Sequence, residues 1–283
     1  MSKLDGRIDF ELLVTVDGAN PNGDPLEAGR PRIRSNGFGE ISDVCIKRKI
    51  RNRLQDMGHR IFVQMESRAD DGFKSLKARA DGCEKVKALL SDKNADLKGI
   101  REAVCGEWMD VRMFGQVFAF KGSNTSVGIR GPVTINHAVS VSPIEIETMQ
   151  IIKTANSEEK AGKASDTMGT KYLVPFGLYV VKGSISGQVA DVTGFSKEDA
   201  EILKYAMKTM FENDASATRA AGSMEVRRMY WWEHESRTPG VSTAAVHRSV
   251  IIMPKTEIPG KFEDYDIELK EIDGIVKPQI TIF

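Results

Sequence analysis

The chain has 283 residues, 41% of them hydrophobic and 28% charged, and its 40 basic residues balance its 40 acidic ones. This composition is sufficient to bury a core, and we expect a single domain with insertions across residues 1–283. Residues 1–6 lack a basic and apolar leader, and the longest nearly apolar stretch, 173–181, contains Pro175, so we expect neither secretion nor a membrane span but a cytoplasmic protein.

The three cysteines are Cys45, Cys83 and Cys105, and no two of them form a CxxC pair. An odd number of unpaired cysteines argues against a disulfide framework and against a zinc site. We therefore expect reduced thiols and no metal or cofactor.

Charge is distributed unevenly along the chain. Residues 30–60 hold nine basic and three acidic side chains (9 − 3 = +6), whereas residues 257–273 hold two basic and seven acidic ones (2 − 7 = −5). A locally positive face can neutralise phosphates on a neutral protein, and the acidic end could meet a basic face of a neighbouring copy. From the charge counts alone, two solvated surfaces remain the simpler interpretation.

In the first part of the chain, alternating apolar residues over 8–16 predict a half-buried strand, and the Gly, Pro and Asn content of 17–40 predicts a loop. Ser42 is a suitable N-cap for a helix that ends at Gly58, and residues 59–66 predict a returning strand. This order of elements is half of a ferredoxin-like unit.

Residues 67–106 predict a helical insertion, 111–152 are β-like, and the polar segment 156–170 predicts a projecting loop. A strand is expected over 176–185, followed by a helix that a capping box opens at Ser196 and that ends near Asn213. Further strands are expected over 224–232 and 245–253. Because no repeat of fixed period occurs, any repetition must come from copies of the molecule.

The predicted basic helix carries the most informative charges, since Lys47, Arg48 and Arg51 share one face opposite the apolar residues. Such a stripe would point outward along a ribose-phosphate chain, and Arg30, Arg32 and Arg34, alternating in an extended segment, would lengthen it. A solubilising face explains the same pattern about equally well.

Several segments, in this order, resemble the backbone subunits of type I CRISPR Cascade complexes, in their subtype I-C form. They are NPNGDP at 20–25, Ser42 with CIKRKIR at 45–51, DVRMFG at 110–115, SVGIRGP at 126–132, DTMGTKY at 166–172, PFGLY at 175–179 and MEVRRMYWW at 224–232. A single matching tetrapeptide would be weak evidence, but together these segments extend over nearly the whole chain.

The resemblance implies an α+β fold in the shape of a right hand. Its parts are a modified RNA-recognition-motif (ferredoxin-like) palm, a helical finger insertion at 67–106 and a thumb hairpin at 150–175. It also implies a non-catalytic protein that polymerises in a helical array along a guide RNA (crRNA), which the array presents to target DNA for antiviral defence. The guide-processing, large and small Cascade subunits are the further partners it implies.

By the same resemblance, Ser42, Lys47, Arg48 and Arg51 fall on the phosphate-contacting helix. Asn20, Asn22 and Gly23 fall on its adjacent loop, and Met168, Gly169 and Lys171 fall at the thumb. Met168 could wedge beside a flipped base, although core packing explains a methionine there equally well.

Two other segments could contact nucleic acid. Arg130, with Ser126 in a Gly-rich stretch, is expected near the RNA, the alternative being a simple β-turn. Trp231 or Trp232 could stack on a base, but adjacent strand residues face opposite ways, so at most one of them can.

An RNA endoribonuclease acting on guide precursor or target RNA is the alternative from the enzyme class. Its candidate carboxylates are Asp17, Asp24 and Asp43, of which the last two are explained by a turn and by a helix first turn. The four histidines, His59, His137, His234 and His247, are scattered, with no paired spacing. We therefore predict no catalysis. A self-assembling structural protein is the other alternative, and steep salt dependence of RNA binding would argue against it.

Overall fold

The computed structural model describes residues 2–152 and 168–283. The strands are β1 Ile8–Ala19, β2 Gly23–Asp24, β3 Arg30–Pro31, β4 Phe38–Ile41, β5 Gly115–Phe118, β6 Val127–Arg130, β7 Val133–Ile135, β8 Ala138–Pro143, β9 Glu147–Ile152, β10 Met168–Ile185, β11 Met224–Glu233, β12 Val250–Pro254, β13 Tyr265–Leu269 and β14 Gln279–Ile282. The helices are α1 Asp43–Asp56, α2 Leu76–Gly82, α3 Glu84–Ser91, α4 Leu97–Glu107, α5 Met109–Phe114, α6 Gly187–Thr193, α7 Lys197–Lys208 and α8 Thr243–His247.

The main sheet has the order β14-β11-β1-β10-β8-β4, and β7 and β9 also pair with β10. Strand β1 is antiparallel to both neighbours, with Ile8 opposite Ile185 of β10 and opposite Glu233 of β11. The central order β11-β1-β10-β8, with α1 following β1 and α7 following β10, is that of a ferredoxin-like unit. The predicted fold class, an α+β fold on this plan, is confirmed.

The predicted returning strand at 59–66 is wrong. The backbone N–H groups of Phe62 and Val63 donate to the carboxylate of Asp110, at 2.7 and 3.1 Å, instead of to a neighbouring strand. A buried backbone donor needs a partner, and here a side chain of α5 provides it. The second strand of the first half of the ferredoxin-like unit is β8, which lies after the helical segment.

Strand β1 is buried on both faces, so the prediction of a half-buried strand is wrong. Phe10 and Leu12 pack with α1 and α7 in one core, whereas Leu13 packs with Trp232 and Val246 in another. The polar alternation of the sequence therefore places Asp9 and Glu11 inside the protein, where both are fully buried. Two layers of the protein cover the two faces of the sheet, whereas the alternating sequence pattern suggested that one face is exposed to solvent.

The predicted helical segment is confirmed as helical, since α2, α3 and α4 occupy it. These helices share a core of their own with β5 and β6, in which Phe62, Trp108 and Phe118 pack ring against ring. The β-like pattern predicted from residue 111 begins later, because 111–114 belong to α5. That these helices form a finger stays a prediction.

Other boundaries differ from the predictions in detail. The capping box of Ser196 and Asp199 is present, but α7 ends at Lys208 rather than near 213. Residues 245–247 are the end of α8, residues 248–249 form a turn, and only 250–253 of the predicted strand belong to β12. The loop predicted over 17–40 contains the end of β1 and the paired strands β2 and β3.

Strand β9 pairs with the start of β10, from Ile152 opposite Met168 to Leu173 opposite Glu147. All six residues of β9 are exposed, so this two-stranded hairpin projects from the sheet. Most of the predicted loop 156–170 lies outside the described residues, and the thumb assignment of 150–175 stays a prediction. Among the described residues, no helix is long and apolar enough to cross a membrane.

Candidate nucleic-acid interface

The N-terminus of α1 is built against the loop after β1. Ser42 caps the helix by accepting from the Cys45 N–H at 3.2 Å, and its own N–H and hydroxyl both lie 2.9 Å from Asn22 Oδ1. Asn20 donates from Nδ2 to the Gly29 carbonyl at 2.7 Å, which closes the loop. A Cβ at Gly23 would lie 2.9 Å from that carbonyl oxygen, so only glycine fits this close approach.

The three cations expected to form one outward stripe on α1 have three different environments. Lys47 pairs with Asp43 at 3.0 Å, one turn earlier on the helix. Arg51 donates from Nε to Asp110 at 2.9 Å and lies 5.1 Å from the Phe114 ring centroid, and its side chain is only 13% exposed. For Arg51 the prediction is wrong, because a buried carboxylate draws its guanidinium inward.

Arg48 is the cation of this helix that keeps the predicted character. Its guanidinium contacts only sulfur, Met65 Sδ at 3.3 Å and Cys45 Sγ at 3.9 Å, and within the described residues it forms no ion pair with a carboxylate. Thioether and thiol sulfur are weak acceptors. An anion could therefore bind this guanidinium without displacing a carboxylate.

The arginines of 30–34 follow an extended path through β3 and each has a partner. The Arg30 guanidinium lies 4.9 Å from the centroid of the Tyr172 ring, at the base of the β9–β10 hairpin. Arg32 pairs with Asp24 at 3.2 Å, and Arg34 pairs with Glu40 at 2.8 Å. Arg32 and Arg34 are therefore half-exposed cations that already have a carboxylate partner, and a phosphate would share each of them with that carboxylate.

His137 is a member of this surface that the sequence patterns missed. Its Nδ1 lies 3.3 Å from Glu40 Oε1 and its Nε2 lies 3.3 Å from Asp43 Oδ1, and its side chain is 50% exposed. With Arg34 on the far side of Glu40 and Lys47 on the far side of Asp43, basic and acidic residues alternate along a row of five side chains. We call this row the His137 chain.

The electrostatics of the His137 chain follow from these contacts. Partial burial by itself would raise the pKa of Glu40, but the hydrogen bonds from Arg34 and His137 hold it below its ordinary value. Burial also acts to raise the pKa of Asp43, and the Lys47 ammonium and the backbone N–H of Val44 outweigh it, so this pKa too is lowered. Both carboxylates are therefore ionised at neutral pH.

Two further groups of predicted site residues lie on exposed strands. Ser126 precedes β6 and Arg130 is the last residue of this strand, so the segment is not a simple turn. Arg130 is exposed and lies opposite Gly115. Gly169 and Lys171 lie on β10 opposite Ile151 and Met149. The side chain of Met168 lies outside what the structure describes, so its role as a wedge stays a prediction.

Both tryptophans are excluded from base stacking. Trp231 and Trp232 are fully buried, Trp231 stacked on Phe10 in one core and Trp232 on Tyr230 in the other. The prediction that at most one could stack was correct in its geometry, since they face opposite sides of the sheet. Because a helical layer and a C-terminal layer cover the two faces, neither ring can reach a ligand.

The chain is similar to a known protein family along most of its length. The model of the family described as CRISPR-associated protein Cas7 matches residues 6–270. The chain belongs to the Cas7 family. A Cas7-family relative, a Haloferax volcanii protein described as CRISPR-associated protein Cas7, is 30% identical over 216 residues. The match covers 68% of this chain and 61% of that relative, so the chain spans about three-fifths of the length of the curated Cas7 protein it matches.

Two solved structures are also similar to this Cas7-family chain. A chain of a CRISPR RNA-guided surveillance complex in a pre-nicking state is 14% identical, with a TM-score of 0.49, over 80% of this chain and 75% of its own length. A chain of a second CRISPR RNA-guided surveillance complex is 13% identical, with a TM-score of 0.45, over 80% of this chain and 68% of its own length.

Proposed function

We propose that this chain binds a single-stranded guide RNA along the start of α1, as a repeated, non-catalytic backbone subunit of a CRISPR surveillance complex of subtype I-C. Membership of the Cas7 family supports the complex, and the resemblance of seven segments to the I-C form supports the subtype. Base sequence would then be read by pairing of the guide with target DNA, while protein contacts hold the RNA backbone.

The observation that carries this proposal is the uncompensated guanidinium of Arg48 next to the N-terminus of α1. Phosphate binding favours an unpaired cation close to a helix N-terminus, where backbone N–H groups and the helix dipole add to the attraction. Arg30 beside Tyr172 and the exposed Arg130 are further cations that we propose for contacts with the RNA. A polyanionic backbone laid across this face would meet donors spaced along its length.

Reversal of all three α1 cations is not a clean test, because a glutamate at position 51 would face the buried Asp110 and destabilise the fold. Arg48→Glu is the sharper variant. We expect it to weaken binding of a labelled single-stranded RNA about tenfold or more, and to lower the log–log salt slope by about 0.7, in fluorescence anisotropy titrations.

Lys85→Glu is the matched control, since Lys85 is an exposed lysine of α3, for which the structure gives no ion pair among the described residues. It reverses one charge on another helix and should leave affinity within about twofold. Equal weakening by both variants would contradict a site at α1 and would indicate attraction by overall charge. Short RNA of uniform length copurifying with the protein would identify the ligand as a guide.

One observation favours a second candidate, the RNA endoribonuclease. The fold brings His137 to 3.3 Å from Asp43, which is the histidine and acid pair that the scattered histidines did not predict. Incubation of purified protein with labelled RNA distinguishes the two functions. The backbone function predicts intact RNA with or without Mg²⁺, whereas cleavage that disappears in His137→Gln would establish the nuclease.

The further partners of the proposed complex are copies of this chain in a helical array and the guide-processing, large and small Cascade subunits. The exposed β9–β10 hairpin and the acidic segment 257–273 are the surfaces that we propose for contacts between copies. Electron microscopy of the assembly purified with its RNA tests this arrangement, and monomers lying apart on the RNA would contradict it.

A further inference from the structure

We infer that His137 is a protonation-sensitive positioning residue of the nucleic-acid face, which as an imidazolium holds Glu40 and Asp43 and so frees Arg34 and Lys47 for phosphate. The inference rests on the proposed function, since it concerns regulation of the same face. The motifs of the sequence do not include His137, and it is the geometry of the His137 chain that indicates its role.

The first step is the protonation state that the contacts require. Each ring nitrogen of His137 lies 3.3 Å from a carboxylate oxygen, and only the imidazolium carries a hydrogen on both nitrogens. A neutral ring would direct a lone pair at one of the two carboxylates. Both contacts can be hydrogen bonds donated by the ring only when it is the imidazolium.

The second step is the local charge. The charged groups around the ring are Glu40 at the end of β4, Asp43 at the start of α1, Arg34 bonded to Glu40, and Lys47 bonded to Asp43. With the ring protonated, three cations face two anions (3 − 2 = +1), and with the ring neutral the sum is zero (2 − 2 = 0). The two carboxylates then have only Arg34 and Lys47 as cationic partners.

The third step connects the charge to ligand binding. Arg34 and Lys47 are half-exposed, so each can turn from its carboxylate to a phosphate when another cation neutralises that carboxylate. Asp43 lies beside Ser42, where the backbone of a bound RNA would approach the helix N-terminus, and an uncompensated carboxylate there repels phosphate. Affinity for a ribose-phosphate chain should therefore fall as pH rises and the ring loses its proton.

The experiment measures the Kd of a fluorescein-labelled single-stranded RNA of mixed sequence, at constant ionic strength, from about pH 6 to about pH 8. We expect the Kd of the wild-type protein to rise about fivefold, the effect of one charge close to the bound phosphates. His137→Gln, which keeps a polar side chain without the titration, should change less than about twofold over this range. A wild-type slope retained in His137→Gln would overturn the inference.

Two further variants make the result specific. His59→Gln removes a histidine outside the His137 chain and should keep the wild-type slope. The double variant Glu40→Gln with Asp43→Asn removes the carboxylates and frees Arg34 and Lys47 at every pH, so affinity at about pH 8 should exceed that of the wild type. Affinity at that pH equal to or below that of the wild type would overturn the inference. Circular dichroism spectra matching the wild type show that each variant is folded.

The outcomes separate this inference from the proposed function. If Arg48→Glu weakens binding but His137→Gln leaves the pH slope unchanged, the RNA face stands and the role of His137 falls. If the wild-type protein shows no salt-sensitive binding even at the lowest pH, both fall. If RNA is cut by the wild-type protein and not by His137→Gln, the residue is catalytic and the positioning role is overturned.

Discussion

Two sets of charged residues in this molecule differ in how deeply they are buried. Asp110, with Arg51, and Glu11, with Lys182, have buried carboxylates, whereas the carboxylates of the His137 chain are half-exposed. The residue types are the same and several pairs have similar distances. Removing one partner of a buried pair leaves an uncompensated charge in a medium of low dielectric, whereas water replaces the lost partner at the surface. Burial therefore divides the charges into those on which the stability of the fold depends and those available to a ligand.

The largest expected effect is at Asp110. Its carboxylate accepts from the Phe62 and Val63 N–H groups and from Arg51, so Asp110→Ala leaves two backbone donors and one guanidinium without a partner. We expect a loss of about 3–5 kcal/mol in the free energy of unfolding, measured by urea denaturation. The matched variant Asp43→Ala, in the half-exposed set, should lose less than about 1 kcal/mol. Similar losses from both variants would remove the distinction that burial makes.

The next effect is a pH dependence of stability at Glu11. Its two carboxylate oxygens are buried without a hydrogen-bond partner among the described residues, and Lys182 Nζ is 3.6 Å away. Burial raises the pKa of Glu11 to about 7, although Lys182 acts to lower it. The folded protein therefore keeps a proton that the unfolded chain releases from about pH 4.5 upward, so this group destabilises the fold increasingly as pH rises through about 7.

Glu11→Gln tests this sign directly. We expect the free energy of unfolding of the wild type to fall by up to about 3 kcal/mol between about pH 5 and about pH 8, and the variant to lose much less over that range. The control Glu225→Gln changes an exposed glutamate and should keep the wild-type slope. A parallel fall in Glu11→Gln and the wild type would show that other groups produce the pH dependence.

The smallest expected effect on the free energy of unfolding is in the half-exposed set of charges. Arg34 is 43% exposed and its bond to Glu40 is a surface ion pair. We expect Arg34→Gln to change the free energy of unfolding by less than about 0.5 kcal/mol, while weakening RNA binding in the anisotropy titration. A stability loss as large as that of Asp110→Ala would assign Arg34 to the structural set.

The sequence predicted the elements that have strong local signals. The central strand β1, the helix α1 with its Ser42 cap, the capping box of α7 and the strands β10 and β11 all lie where periodicity and caps indicated them. The returning strand at 59–66 was predicted wrongly because apolar residues in an extended segment have the same pattern whether they pair with a strand or with a carboxylate. No local pattern reveals that Asp110, about 50 residues later, accepts their backbone N–H groups.

The sequence predicted the candidate site about as completely as it predicted the fold. Helical spacing correctly placed Arg48 on the accessible part of α1, but spacing gives only the angle around a helix axis and not the neighbour on that side. Arg51 was therefore misplaced, since its buried partner comes from α5. His137 is separated from Asp43 by 94 positions (137 − 43), and only the pairing of β4 with β8 brings them together.

The register of β1 has a consequence for synthesis of the protein. Both neighbours of this first long strand come from the later part of the chain, with Ile8 opposite Ile185 and Glu233. A ribosome must translate most of the message before the strand has either neighbour, and contacts so distant in sequence close slowly. A prematurely terminated chain would lack these neighbours, so the RNA-binding face that we propose would form only in nearly finished polypeptides.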